Sequence, residues 1–217
     1  MYYFKKMALR NRVTAIFPQW AELKENFKFV RYARKWRKKG WKAPFPCLIK
    51  RAILKATANE FGAKTFVETG TFLGDTPWFF RNEFSRIFTV EVQPDYASLA
   101  AERFSRFNHI DVIEGDSAVR LKDIVPQIED RALYWLDGHY SSGTTGSGKN
   151  ECPIWSELDT IFDCSKAPFY IMIDDARCFG EDPAYPTMDN LRSYLANKAP
   201  KFKLKVENDA IHLWNQD

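Results

Sequence analysis

The stretch KTFVETGTFLGDT, residues 64–76, decides the fold of this chain. It begins as a short apolar run that ends at Glu68 and continues through Gly70 and Gly74 into a helical pattern. Glycines so placed suit a tight turn, in which the backbone approaches a ligand and a helix N-terminus faces it. The stretch therefore predicts a strand, a ligand-binding turn and a helix in succession.

The same theme, an apolar run followed by a turn and a helical pattern, repeats along the rest of the chain. This alternation is typical of βα units in a mostly parallel sheet. The last two runs flank Asn208–Asp209 and predict an antiparallel hairpin. We therefore predict an α/β protein with a three-layer α/β/α Rossmann-like fold and seven strands. The predicted strands are 64–68, 86–91, 110–114, 132–137, 169–174, 201–207 and 210–215, and the predicted helices between them are 75–84, 95–106, 117–126, 153–163 and 187–196.

Two more helical patterns precede this region. Residues 47–61 predict a helix that covers the sheet and ends near Gly62. Residues 19–39 predict a second helix, which the stretch GWKAPFP at 40–46 interrupts. We therefore divide the chain into a basic, aromatic helical N-terminal extension, 1–46, and a main domain, 47–217. The apolar face predicted for the covering helix consists of Leu48, Ile49, Ala52, Ile53 and Ala56.

Charge is distributed very unevenly along the chain. The first 56 residues contain 16 Lys and Arg against 2 Asp and Glu, a net charge of +14, whereas the remainder carries a net charge of −10. Such asymmetry indicates an appendage with an anionic partner. The stretch 28–42 adds tyrosine and tryptophan to its basic residues, which suits an anionic membrane surface or a lipid-linked substrate. A phosphate-bearing substrate and a solvated helix face without a partner remain alternatives, and nucleic acid is disfavoured because the acidic main domain would repel its phosphates.

The sequence also indicates a cellular location. No apolar run approaches the ~20 residues of a membrane-spanning helix, and the N-terminus lacks the features of a signal peptide. We expect a cytoplasmic protein, with peripheral membrane contact through the basic stretch as a variant of this expectation. The cysteines, which form no CxxC pair, are expected to be free thiols; they are Cys47, Cys152, Cys164 and Cys178.

Acidic residues close the predicted strands in a recognisable order. Glu91 ends the second strand, and Glu114-Gly115-Asp116-Ser117 follows the third. With the acidic-x-Gly-x-x-x-Gly pattern of 68–74, this order resembles class I S-adenosylmethionine (SAM)-dependent methyltransferases. The resemblance implies that Glu91 takes the ribose hydroxyls and Asp116 the adenine amine. The implied SAM-binding residues are Glu68, Gly70, Thr71, Gly74, Glu91, Asp116, Ser117 and Asp137.

Three more aspartates follow the fourth and fifth strands. Asp137 lies in LDGHYSSG, and Asp174 and Asp175 end the fifth run. Clustered carboxylates suit Mg²⁺. The arrangement is similar to the divalent-metal O-methyltransferases of the catechol and macrolide-sugar types. That resemblance implies metal binding by Asp137, Asp174 and Asp175, with Asp137 and His139 as catalytic residues and His139 as general base.

The sequence departs from both patterns after Asp137. The catechol type has a lysine at the position of Tyr140, and the macrolide type has an acidic residue at the position of His139. Metal dependence therefore stays open. The expected function is transfer of a methyl group from SAM to a hydroxyl oxygen of a small molecule or glycan, with Mg²⁺ as an optional cofactor. The alternatives are a metal-independent N- or RNA methyltransferase and a SAM-binding adapter without turnover.

Overall fold

The computed structural model describes residues 31–38, 40, 42–137 and 152–215. Seven strands form a single sheet in the order β3-β2-β1-β4-β5-β7-β6. The first five pair in parallel, and β7 pairs antiparallel with both β5 and β6. The predicted mostly parallel sheet with a C-terminal antiparallel hairpin is confirmed. The strands are β1 (Thr65–Thr69), β2 (Arg86–Glu91), β3 (Ile110–Glu114), β4 (Ala132–Leu136), β5 (Phe169–Ile173), β6 (Phe202–Glu207) and β7 (Ala210–Asn215).

Helices cover both faces of this sheet. Their bounds are α1 (Cys47–Phe61), α2 (Asp75–Phe80), α3 (Pro94–Phe104), α4 (Ser117–Ile124), α5 (Ile154–Cys164) and α6 (Met188–Lys198). One buried apolar cluster joins the sheet to α1, α2 and α3 through side chains such as Leu54, Trp78 and Phe104. A second joins the opposite face to α4, α5 and α6. The fold is therefore the predicted three-layer α/β/α sandwich.

The strand ends locate a site. All residues of β1 and β4 are buried, and Thr69 and Leu136 pair at their carboxyl ends. The chain leaves β1 towards β2 on one side, whereas β4 lies on the other, so a topological switch occurs between β1 and β4. Ligands of open α/β sheets bind in the crevice at such a point.

The helix bounds differ from the sequence predictions by two residues at most, except in α2, and α1 differs in the face that it buries. Helix α2 ends at Phe80 instead of residue 84, and the Glu83 N–H donates to the Phe80 carbonyl at 2.8 Å, three residues back, so the chain continues as a turn. In α1 the buried residues are Arg51, Leu54 and Ala58, not the predicted apolar face, and Ala56 is exposed. The predicted face was wrong because α1 turns basic side chains towards acidic groups of the sheet.

The N-terminal extension is described from residue 31. Residues 31–38 are helical and lie within the predicted helix 19–39. The remaining residues of that prediction, 19–30 and 39, lie outside the described residues. Trp36 is buried, donates a hydrogen bond of 2.7 Å to the Lys42 carbonyl and packs edge-on against Phe45. The division at residue 46 remains a prediction. Over the described ranges, no helix is long and apolar enough to cross a membrane.

Candidate cofactor and acceptor site

The turn after β1 is held in a conformation that needs glycine. Gly70 and Gly74 have φ of 88° and 69°, and the Gly70 N–H donates to the Val90 carbonyl at 2.9 Å. A Cβ on Gly74 would lie 2.8 Å from a ring carbon of the buried Phe104. The turn therefore packs closely against α3 while its backbone crosses the end of β2.

Glu68 lies beneath this turn. Its carboxylate accepts a hydrogen bond of 2.8 Å from the Thr89 hydroxyl, which also pairs with the Thr71 hydroxyl at 2.6 Å. Burial raises the pKa of Glu68 to about 8, although Thr89, Thr76 and the charge of Arg51 oppose the rise. Glu68 thus connects the turn to β2 through threonines. Its predicted contact with SAM stays a prediction.

Glu91 is fixed at the end of β2 by the backbone. Its Oε2 accepts from the Phe72 N–H at 2.6 Å, and its Oε1 accepts from the Gln93 N–H at 2.9 Å. Phe72 has a φ of 47°, which is uncommon for a residue with a side chain. Phe72 and Val92 flank this buried carboxylate, and both side chains are 37% exposed. The two carboxylate oxygens of Glu91 are therefore held in a fixed direction, next to an apolar surface.

Asp116 and Ser117 begin α4 at the neighbouring strand end. Asp116 caps the helix, since its Oδ1 accepts from the Ala118 N–H at 2.9 Å. Gly115 precedes it with a φ of 138°. The cap fixes the direction of the Asp116 carboxylate, whose second oxygen is chemically able to accept from a ligand amine. The predicted adenine contact is compatible with this cap and stays a prediction.

Glu157 is a buried carboxyl group that the sequence predictions missed. It lies in the first turn of α5 with no exposed surface. The hydroxyls of Ser117 and Thr69 are near enough to oppose the effect of burial, which raises its pKa to about 7. Among the described residues, neither carboxyl oxygen has a partner of full hydrogen-bond geometry. The signal was its position on the same face as Ile154, Leu158 and Ile161.

The ends of β4 and β5 bring the predicted metal ligands to the same edge. The Asp137 N–H donates to the Thr69 carbonyl at 3.2 Å, and the Asp174 N–H donates to the Leu136 carbonyl at 3.0 Å. Asp174 is buried, whereas Asp137 is exposed. The ends of β1, β4 and β5 are therefore neighbours at one edge of the sheet.

Lys50 of α1 reaches into this cluster. Its Nζ lies 2.5 Å from Asp174 Oδ2 and 3.1 Å from Asp175 Oδ1. Burial alone would lower the pKa of Lys50, but attraction by Asp174, Asp175 and Asp137 holds it above its ordinary value. The lysine is therefore charged. Its role was missed because a lysine in a helical pattern is ordinarily assigned to the solvent side.

A second cation contacts the same oxygen of Asp175, Oδ1, that accepts from Lys50. Arg177 bonds the Asp175 carboxylate at 2.8 Å and also pairs with Asp209 in the turn between β6 and β7. Asp175 itself has a φ of 56°. The hairpin thereby connects to the end of β5 through a pair of charge-assisted hydrogen bonds.

The carboxylates as arranged do not fit a divalent metal ion. Within the described ranges, no group of three or more His, Cys, Asp or Glu side chains is placed to hold one. The Asp174 and Asp175 oxygens that face the cluster accept from the Lys50 ammonium instead. The structure thus does not support a metal site at Asp137, Asp174 and Asp175.

The predicted base cannot be placed against this geometry. His139 and the segment 138–151 lie outside the described residues. The role of His139 as general base stays a prediction.

Comparison with solved structures gives the architecture a context. The O-methyltransferase TomG of Streptomyces achromogenes, in complex with SAM, matches with a TM-score of 0.55 and 17% identity over 86% of this chain and 89% of its own. The fold is that of SAM-dependent methyltransferases. A Bacillus cereus O-methyltransferase in complex with S-adenosylhomocysteine (SAH) gives 0.56 and 16% over 84% and 87%. The SAH-bound methyltransferase PaMTH1 of Podospora anserina gives 0.55 and 18% over 86% and 88%. No protein-family model and no curated protein sequence matches the chain.

Proposed function

We propose that this chain is a SAM-dependent methyltransferase that methylates a hydroxyl oxygen of a small molecule or glycan. The observation that carries the proposal is the Glu91 carboxylate, held by two backbone N–H groups beside the glycine turn. This site lies at the carboxyl edge of a sheet whose solved relatives in fold bind SAM or SAH. Both the fold and the chemistry of the strand ends therefore support the same cofactor.

The residues around Glu91 fit SAM by their chemistry. Each carboxylate oxygen can accept more than one hydrogen bond, so Glu91 has capacity left for the two ribose hydroxyls. The exposed apolar side chains of Phe72 and Val92 suit the flat faces of a nucleoside. Asp116 and Ser117 supply polar groups for the adenine edge. When bound, SAM supplies a methyl group on a positively charged sulfur. The acceptor oxygen bonds to the methyl carbon, the bond from that carbon to the sulfur breaks, and SAH leaves.

The acceptor side needs a group that takes the hydroxyl proton. We propose His139 for this role, with Asp137 two residues before it in the chain, because a neutral imidazole accepts a proton near pH 7. The chain's main contribution is then to orient the hydroxyl and to remove its proton, since a methyl displacement is governed by positioning.

Transfer of labelled methyl groups tests this function. Purified protein is incubated with methyl-labelled SAM and separate panels of hydroxylated sugars, phenols, amines and RNA. We expect label in a hydroxylated acceptor only. Label confined to amines or RNA would favour the alternative of a metal-independent N- or RNA methyltransferase. SAH binding without transfer to any panel would favour a SAM-binding adapter without turnover.

We further propose that the basic helix contacts an anionic membrane surface. Its side chains Arg31, Arg34, Lys35, Arg37 and Lys38 are exposed, and Tyr32 is 49% exposed. Trp36 and Phe45 pack together on the other side, so the helix has an inner aromatic contact and an outer basic surface. Exposed lysine and arginine near an anionic surface contribute about 1 kcal/mol each.

Vesicle sedimentation tests the membrane proposal. The chain should sediment with phosphatidylserine-containing vesicles but not with pure phosphatidylcholine vesicles. Replacing Arg34 and Lys35 by glutamate should reduce the bound fraction by roughly tenfold or more, since four charge units change near the surface. The same change at the exposed Lys122 and Lys201 is the matched control. Equal losses for both pairs, or equal binding to both vesicle types, would contradict a specific role of this helix.

A further inference from the structure

The acceptor side of the site already contains a cation. The Lys50 ammonium bonds both Asp174 and Asp175, and 15% of the Lys50 side chain is exposed. We propose that Lys50 is the resident cation of this site and takes the position between the two aspartates that a divalent metal ion would otherwise need. The site would then operate without a divalent metal ion.

Electrostatics favour one cation in this position. Asp174 and Asp175 are neighbours at a strand end, and two such carboxylates repel each other unless a positive group lies between them. Lys50 meets this need from α1 because it bonds both aspartates, whereas Arg177 bonds Asp175 alone, at the same Oδ1. A divalent ion at the same oxygens would lie within a few ångströms of the ammonium and be repelled by it. The ammonium and the metal ion are therefore mutually exclusive.

The ammonium also has capacity for the acceptor. A lysine carries three N–H donors, of which Asp174 and Asp175 accept two. The third can donate to the acceptor oxygen and stabilise the negative charge that develops as the hydroxyl loses its proton. This catalytic part rests on the proposed methyltransferase function, whereas the identity of the cation does not.

Titration with Mn²⁺, followed by electron paramagnetic resonance, tests the cation itself. Lys50→Met removes the charge and keeps the approximate length of the side chain. We expect this variant to bind Mn²⁺ roughly tenfold or more tightly than the unmodified chain, because Asp174 loses its cation and Asp175 keeps only Arg177. Lys55→Met is the matched control, since Lys55 lies on the same helix and pairs with Glu83 at the surface.

Further variants assign the effect to the site. Lys50→Arg retains a cation and should behave as the unmodified chain does. Combining Lys50→Met with Asp174→Asn should abolish the gained Mn²⁺ affinity. The proposal is overturned if the unmodified chain binds Mn²⁺ as tightly as Lys50→Met, or if correctly folded Lys50→Met gains no affinity.

Two further measurements decide the question if Lys50→Met does not fold or if no methyl acceptor is found. If Lys50→Met does not fold, the unmodified chain decides: saturable Mn²⁺ binding that Asp174→Asn removes overturns the proposal, and its absence supports it. Methyl transfer is measured separately with and without EDTA. Failure to transfer to any acceptor would count against the proposed function, whereas the Mn²⁺ result bears only on Lys50.

Discussion

Replacing Glu91 by glutamine is expected to weaken SAH binding by roughly 10- to 100-fold, the range that corresponds to the loss of a charge-assisted hydrogen bond. The carboxylate accepts from the backbone at both oxygens and has further capacity for the ribose hydroxyls. An amide replaces one acceptor by a donor, which would face either a backbone N–H or a ligand hydroxyl. Isothermal titration calorimetry of both proteins measures the difference.

Glu114→Gln is the matched control for this prediction. Glu114 pairs with Glu91 across β2 and β3 but is exposed, so its replacement removes the same charge from the adjacent strand end. We expect its SAH affinity to stay within about twofold of the unmodified chain, as for most exposed substitutions. Thermal unfolding verifies that both variants are folded. Equal affinities for Glu91→Gln and the unmodified chain would remove Glu91 from the cofactor site.

Replacing Glu157 by glutamine is expected to flatten the pH dependence of stability. The ordinary pKa of a glutamate is near 4.5, and burial raises that of Glu157 to about 7. Between these values the folded state binds more protons than the unfolded state, so the free energy of unfolding falls as pH rises through this window. The difference corresponds to roughly 3 kcal/mol lost by pH 8.

Urea unfolding at pH 5 and pH 8 measures this loss. Glu157→Gln should resemble the unmodified chain near pH 5, where the carboxyl is neutral, and should be more stable at pH 8 by an amount on the order of 2–3 kcal/mol. Glu129→Gln, at an exposed position, is the control. All three proteins keep a further slope from Glu68, whose pKa is raised to about 8. Parallel pH profiles of Glu157→Gln and the unmodified chain would show that the carboxyl ionises freely in the fold.

The sheet could be predicted from sequence because its signals are local. Each strand is a short apolar run that ends at a turn, and the hairpin turn at Asn208 and Asp209 has positive φ at both residues, as a type I′ hairpin turn requires. The order of acidic residues at strand ends also follows from the chain alone. Strand bounds consequently differ from the predictions by one residue at most where they differ.

The charged contacts could not be predicted in the same way. Lys50 and Asp174 are 124 residues apart, and only the packing of α1 over the sheet brings them together. Arg51 is buried on the same helix, so hydrophobic periodicity assigned the wrong face to α1. Glu157 lies on the apolar face of its helix, which is the one sequence signal of its burial, but a carboxyl group in such a stripe is ordinarily assigned to solvent. Hydrophobic periodicity describes one helix or strand at a time and therefore contains no information on which distant charges pair.

Calorimetric titration of the unmodified chain with SAH tests whether the chain uses SAM. We expect saturable binding in the micromolar range with one site per chain. Micromolar binding that Glu91→Gln weakens would assign the cofactor site to the glycine turn and the strand-end carboxylates. Absence of binding under conditions where the chain is folded would contradict the proposed use of SAM and leave the methyltransferase fold without its cofactor.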